Sequence, residues 1–270
     1  MSQWNFFDYA SKDTLLEVMS READDFVALC SDPDTWTSPT ASGHWEVRDV
    51  AGHLVDTIEG YLPAFDAARS QGALPEPLGL RDMNTHVDGG ALAFREKSQA
   101  EVLERLRADR AKMGEIFAGL DEDGWSMLVT HKYMGPLPAC FYPVFQLVDW
   151  AIHSWDIRQA TGRAHVLAAD AADLIVPVAF VLWQYTVDVT PGTQPLTIGV
   201  RVSGRNGGTT RISVLPEGIT VAPGDVSDLP ATLEFDPASF VLTAFGRING
   251  GTAHGDAEVA NRFLNAIFRV

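Results

Sequence analysis

The sequence has few cysteines and no long apolar run. Its two cysteines, Cys30 and Cys140, lie far apart and lack the spacing of metal-binding motifs. Isolated thiols favour a reducing compartment, so we expect a cytoplasmic protein in which both are free. No stretch of about 18 apolar residues occurs, and the first residues lack the basic and apolar regions of a signal peptide, so we expect neither a membrane span nor a secretion signal.

Positive charge is also scarce. The chain has 20 Lys and Arg against 36 Asp and Glu, a formal net charge of −16. This argues against nucleic acids and anionic membranes as partners, because both require a basic surface. Residues 1–190 hold 29 of the 36 acids, and no lysine follows Lys132. This change in charged-residue content along the chain predicts two differently built domains, 1–190 and 191–270. The chain is long enough for both.

The first domain is predicted to be a four-helix bundle. Apolar residues recur at helical spacing in four long stretches joined by modest loops. These stretches are 9–30, 45–69, 84–120 and 139–161. Ser98 and Glu101 form a capping-box pattern inside the third, residues 121–138 read as a loop, and a fifth helix is expected at 168–187.

The second domain is predicted to be α+β. "LTIGVRVSG" and "TTRISVLP" alternate in polarity around the turn "RNGG", as in a β-hairpin, and "GITVAP" and "ATLEF" continue as short strands. "DPASFVLTAFG" and "GDAEVANRFLNAIF" follow as helices that each begin with an Asp cap.

One helix carries an unusual polar stripe. In "QLVDWAIHSWDIRQAT", Asp149 lies four residues before His153 and seven before Asp156, and Gln146 and Tyr142 fall on the same helical face. The other faces are apolar, so the helix is predicted to be buried and the stripe to face an internal cavity. Buried charges persist when they are paired or coordinated to a metal, which makes Asp149 and His153 a candidate ligand pair. Tyr142 and Gln146 are predicted to line the pocket.

A third ligand is needed, and His53 is the best candidate because it lies in mid-helix at the edge of a core-facing stripe. The alternative is a core histidine bonded to a neighbour. Asp156 is predicted either to orient His53 or His153 by a hydrogen bond or to pair with Arg158 or another cation. The remaining histidines are predicted to be solvated or capping residues: His44, His86, His131, His165 and His254.

These motifs resemble a known family. "WEVRDVAGHLVD", followed later by "VDWAIHSWDIRQATG" and by the tail "PASFVLTAFGRINGGTAHGDAEVANRFLNAIF", is similar to the DinB/YfiT metal-binding superfamily, in particular its mycothiol-dependent maleylpyruvate isomerase-like branch. The resemblance implies a DinB-like bundle with a metal site and a small C-terminal α+β domain of the sterol-carrier-like type. It matches the metal ligands to His53, Asp149 and His153. Isomerases of the branch have glutamate where Asp149 stands, and the shorter side chain would hold the ion closer to its helix.

Two histidines and one carboxylate leave an open position on a divalent ion, which is typical of catalytic sites. Zinc is favoured, with nickel, iron and manganese as alternatives. The resemblance implies mycothiol as cosubstrate: the ion would lower the pKa of this thiol, which would then isomerise or conjugate a small electrophile. Arg247 is implied to reach the catalytic cleft and grip an acidic group of the substrate. Its alternative role is to bond the last carbonyls of its own helix.

Two other functions stay open at this point. The ion could activate water in a hydrolase of small amides or esters, or the bundle could be a non-catalytic metal-binding or ligand-binding DinB-like protein. The expected partners are a small-molecule substrate and a low-molecular-weight thiol, and the expected state is a monomer or small homo-oligomer. The pocket is expected where the ligands meet at one end of the bundle, with the α+β domain covering its mouth.

Overall fold

The computed structural model describes residues 4–70, 72, 76–79, 83–163, 166–186 and 192–266. The chain divides into two compact units. One spans Phe6–Val166, and the other combines Met1–Asn5 with Leu167–Val270. In the described part of the chain, no helix combines the length and the apolar character needed to cross a membrane.

The first unit is the predicted helical bundle. Its helices are α1 (Lys12–Cys30), α2 (Val47–Ser70), α3 (Met83–Leu92), α4 (Gln99–Ala118), α5 (Glu122–Ser126) and α6 (Phe141–Ala160). Helix α6 packs along α1, and α2 packs along α4. Residues 141–148 of α6 are all buried because this segment is apolar on nearly every face. Aromatic side chains fill the core, as where Phe26 of α1 meets Trp150 of α6 edge to face at 5.3 Å between ring centroids.

Two local differences from the sequence prediction occur in this unit. The stretch 84–120 is not one helix: α3 ends in a 3-10 turn at Ala93–Glu96, and α4 begins afresh behind the capping box of Ser98 and Glu101, which is confirmed. The stretch 121–138 is not a plain loop. It contains α5 and an antiparallel hairpin of β1 (Leu128–His131) and β2 (Gly135–Pro138).

The second unit is α+β, as predicted. It comprises α7 (Ala169–Thr186), β3 (Leu196–Val202), β4 (Gly208–Leu215), β5 (Gly218–Pro223), β6 (Ala231–Phe235), α8 (Pro237–Ala244), β7 (Thr252–Gly255) and α9 (Ala257–Ala266). The strands order as β5-β4-β3-β6-β7, with β3 and β6 parallel and the other pairs antiparallel. The β3–β4 hairpin and the Asp caps of the last two helices are confirmed, at Asp236 and Asp256. Strand β7 was not predicted.

The division between the units differs from the boundary predicted at residue 190. Helix α7 was assigned to the bundle, but it packs against α8 and β5 of the second unit. The start of the chain also belongs there: the Trp4 backbone N–H donates to Asn206 Oδ1 at 2.7 Å, and Asn206 Nδ2 donates back to the Trp4 carbonyl at 2.7 Å. The Arg205 guanidinium lies 4.0 Å from the centre of the Trp4 ring.

Candidate metal centre

Helices α2 and α6 bring the three predicted ligands together. One ligand atom from each of His53, Asp149 and His153 lies within 4.8 Å of the other two. His53 Nε2 is 4.0 Å from Asp149 Oδ1, and the two imidazoles meet edge to face with centroids 5.3 Å apart. Two ligand atoms that share an ion at about 2.1 Å lie roughly 3–4 Å apart. The donor set and its spacing therefore fit a divalent metal ion after a small movement of the side chains.

The second nitrogen of each imidazole is occupied by a neighbour. His153 Nδ1 lies 3.0 Å from Asp156 Oδ2, and this carboxylate is fully buried. His53 Nδ1 lies 3.4 Å from Thr57 Oγ1, one turn further along α2. With Nδ1 engaged in this way, Nε2 is the nitrogen of each ring that can bind an ion, which is the usual arrangement behind metal-bound histidines. Of the predicted alternatives for Asp156, the structure has the bond to His153, while Arg158 lies 3.8 Å from Asp25.

An indole ring forms one wall of the centre. The Trp45 ring lies 5.1 Å from the His53 ring and 6.1 Å from the His153 ring, between centroids. Its Nε1 donates to Asp88 Oδ1 of α3 at 2.8 Å, and His44 Nε2 approaches the same oxygen at 2.8 Å. Trp45 thus shields both imidazoles from water. Sequence reasoning missed the part played by Asp88, because nothing in the pattern of α3 indicates a partner more than 40 residues away.

The other predicted pocket residues lie inside the bundle. Tyr142, Gln146 and Asp156 are all buried, so the stripe on α6 faces the interior, as its helical phase predicted. The Tyr142 hydroxyl donates to the Val129 carbonyl at 3.1 Å and is therefore already used within the protein. Gln146 Nε2 has no hydrogen-bond partner among the described residues. A buried amide without a partner is costly, so this group is the better candidate to meet a bound molecule. The part of all three in binding a cofactor stays a prediction.

Arg247 lies in the second unit, just after α8. Its backbone N–H donates to the Leu242 carbonyl at 2.8 Å, and its Nη1 donates to the Phe245 carbonyl at 2.9 Å. These bonds correspond to the alternative capping role. Its role as a substrate clamp stays a prediction.

Of the two alternatives predicted for His131, solvated or capping, the structure excludes the first. Only 8% of the residue is exposed, at the end of β1, and its Nδ1 accepts the backbone N–H groups of Tyr133 and Met134. His44, His86 and His254 are exposed as expected, and His165 lies outside the described residues.

Comparisons with known proteins bear on the family and on the fold. The sequence model of the mycothiol maleylpyruvate isomerase N-terminal domain matches residues 16–158, which is more than half of the chain. No curated protein matches. The crystal structure of the mycothiol-dependent maleylpyruvate isomerase is similar over 94% of this chain and 97% of that chain, with a TM-score of 0.64 and 14% identity. A histidine-to-alanine mutant of that enzyme is similar over the same shares, with a TM-score of 0.64 and 13% identity.

At such identities the structural likeness shows a common fold over nearly the full length of both chains. The sequence match indicates common ancestry as well, and the matched range includes all three candidate ligands. On this evidence the chain belongs to the mycothiol maleylpyruvate isomerase family.

Proposed function

We propose that the chain is a metal-dependent enzyme that uses a low-molecular-weight thiol, mycothiol, to isomerise or conjugate a small electrophile. The convergence of His53, Asp149 and His153, with Asp156 behind His153, is the observation that carries the proposal. Three protein ligands are the number found in catalytic zinc sites, where a fourth position is kept for water or substrate.

The residues present fit a divalent ion in charge as well as spacing. Asp149 contributes one negative charge and the two imidazoles are neutral ligands, so a divalent ion would keep one net positive charge. When bound, the ion would lower the pKa of a thiol and so supply a nucleophile at neutral pH. The protein's own part is to fix the imidazoles through Asp156 and Thr57 and to exclude water with Trp45.

An external thiol is needed because the protein's cysteines are unsuited to the reaction. Both are free and buried. Burial raises the pKa of the Cys30 thiol far above its usual range and raises that of Cys140 to about 12. The thiolate is the reactive form, and neither side chain populates it at neutral pH.

The proposed reaction begins when the sulfur of the cosubstrate adds to a conjugated carbon–carbon double bond. The new S–C bond leaves a single bond that rotates freely. Expulsion of the same sulfur then returns the isomerised alkene, whereas protonation of the carbon gives a stable thioether. The family supports this thiol chemistry, and the substrate of this chain is proposed only as a small electrophile.

Native mass spectrometry tests the proposal. The zinc-loaded protein should bind mycothiol, and the chelated protein should not. His53→Ala should lose both the ion and the thiol. His254→Ala provides a matched control, because that histidine is exposed and pairs with Glu234 in the other unit. The His254→Ala variant should still bind both the ion and mycothiol.

Two outcomes would contradict the proposal. Equal binding of mycothiol to the metal-free protein would show that thiol binding does not depend on the metal centre. Release of nitrophenol from p-nitrophenyl acetate by the zinc-loaded protein alone, without binding of mycothiol, would favour the hydrolase.

A further inference from the structure

A second group of polar side chains lies deeper in the same bundle, around His131. His131 is the last residue of strand β1, and its ring is surrounded by aromatic rings of two helices. Its centroid is 5.9 Å from that of Tyr61 of α2, and 6.1 Å and 5.7 Å from those of Tyr142 and Phe145 of α6. The imidazole is thus an interior group of the bundle and not a surface residue.

Backbone hydrogen bonds fix which nitrogen of His131 carries the proton. Nδ1 accepts the backbone N–H groups of Tyr133 and Met134, both at 3.3 Å. A nitrogen that accepts is unprotonated, so the neutral ring carries its proton on Nε2 and donates from there. Burial lowers the pKa of His131 to about 4, which keeps the ring neutral at physiological pH. Within the described part of the chain, Nε2 makes no hydrogen bond.

Tyr61 offers a second neutral donor beside it. Its ring packs edge to face on Tyr142 with centroids 4.8 Å apart. Burial, reinforced by the negative charge of Asp149, raises the pKa of the Tyr61 hydroxyl, which therefore stays protonated. The hydroxyl has no hydrogen-bond partner among the residues that the structure describes, and 8% of the residue remains exposed. Two neutral donors without acceptors in the described structure thus belong to neighbouring rings.

One of the two donors belongs to the same helix as a candidate metal ligand. His53 and Tyr61 are two turns apart on one face of α2, a distance of about 12 Å along the helix. At one end of this stripe His53 lies against His153, and at the other end Tyr61 lies against Tyr142. Asp149 lies between these ends on α6, and its charge acts on Tyr61. A molecule that begins at the metal ligands and extends along this stripe would therefore approach Tyr61.

We propose that His131 Nε2–H and the Tyr61 hydroxyl together hydrogen-bond a carbonyl oxygen of the substrate. The inference rests on the proposed function and adds two residues that would position its substrate. When sulfur adds to the conjugated double bond, the π-electron pair moves onto this oxygen, and expulsion of sulfur returns it. Two fixed donors stabilise the charge that develops there. The buried amide of Gln146, also without a partner in the described structure, lies between them and Asp149 on the α6 stripe.

Calorimetric titration of the zinc-loaded protein with two probes tests the proposal. S-(3-oxobutyl)mycothiol carries one ketone, and S-butylmycothiol has the same chain length without it. Tyr61→Phe removes the hydroxyl and keeps the ring. His131→Asn keeps an acceptor for the two backbone amides and removes the donor at the Nε2 position, which the shorter amide does not reach. Each variant should weaken binding of the ketone by roughly five- to tenfold, the loss of one neutral hydrogen bond, and leave the butyl probe unchanged. Tyr9→Phe is the control, since that hydroxyl bonds Leu120 elsewhere in the unit and should alter neither titration.

The possible outcomes separate this inference from the proposed function. If the butyl probe binds and neither variant weakens the ketone selectively, the donor pair is refuted while the thiol site stands. If the wild-type protein binds neither probe nor mycothiol, the proposed function fails and the inference fails with it. Nitrogen-15 NMR of histidine-labelled protein adds a measurement that needs no ligand. It should show His131 protonated on Nε2 near pH 7, and a proton on Nδ1 would overturn the proposal even if the variants misfold.

Discussion

Acidification should destabilise the protein through His131. Its usual pKa is 6.5, and burial lowers this value to about 4 in the folded state. Protonation in place would bury a charge and would abolish the two bonds that Nδ1 accepts from the backbone. The folded protein therefore keeps the ring neutral down to about pH 4, whereas the unfolded chain takes up a proton near pH 6.5.

The sign and size of the effect follow from proton linkage. Between the two pKa values the unfolded state binds one more proton, so the free energy of unfolding falls as the pH falls. The stabilisation is complete above pH 6.5 and is lost by pH 4. At about 1.4 kcal/mol for each pH unit in this interval, the total loss is roughly 3 kcal/mol. About 2 kcal/mol of it should be lost by pH 5.

The variant His131→Asn isolates this contribution. The rings that face His131 belong to Tyr61, Tyr133, Tyr142 and Phe145. The ordinary pKa of a phenol, about 10, lies well above the interval that is compared. Urea unfolding at pH 7.5 and pH 5, with EDTA present, should show a loss about 2 kcal/mol larger for the wild type than for the variant. Effects of all other titrating groups cancel in this difference. Parallel losses in the two proteins would refute the lowered pKa and the acceptor role of Nδ1.

Three further predictions follow from contacts in the bundle. Asp156→Asn should weaken zinc binding by about 10- to 100-fold in a competition titration with a chromophoric chelator, because it replaces the carboxylate behind one ligand imidazole; unchanged affinity would contradict that role. Gly52→Ala should lower the free energy of urea unfolding by about 1–3 kcal/mol, since a Cβ there would lie 2.7 Å from the Phe94 Cβ and 2.8 Å from the Ala91 carbonyl oxygen. Gly60→Ala in the same helix meets nothing within 4 Å and should raise it by about 0.5–1 kcal/mol. Arg95→Met should lower the free energy of unfolding in the same assay by more than Asp49→Ala does. The guanidinium binds the fully buried Asp49 carboxylate at 2.7 and 2.6 Å, and without it this charge keeps only the Glu46 backbone N–H among the described residues; equal losses would show that the carboxylate reaches water.

The stripe on α6 was predictable because its determinants are local. The four-residue spacing of Asp149 and His153 fixes their common face, and the apolar neighbours fix which face is buried. Choosing His53 as the third ligand required more than spacing. A lone histidine in an apolar helix has an ordinary interpretation as a core residue, and only the resemblance to a family connected α2 with α6.

Features that depend on distant contacts were not predictable. Nothing near His131 in the sequence indicates that Tyr61, 70 residues earlier, encloses its ring. The hairpin that carries it has strands of only four residues, too short for alternation to be distinguished from a loop. Helix α7 is apolar on several faces, and such a pattern shows that a helix is buried but not which neighbours bury it. The domain boundary was therefore set too late in the chain.

The pairing of Trp4 with Asn206 has a consequence for how the protein is made. These residues are separated by 202 positions, so a ribosome adding about 5–20 residues per second exposes the first roughly 10 to 40 s before the second. During that interval the bundle residues Phe6–Val166 emerge completely, while the unit that contains Trp4 cannot yet close. The first residues of the chain can therefore make their native contacts only after the last third of the chain has been synthesised. A protease cut after Val166 would also leave that unit divided between two fragments, held together by non-covalent contacts alone.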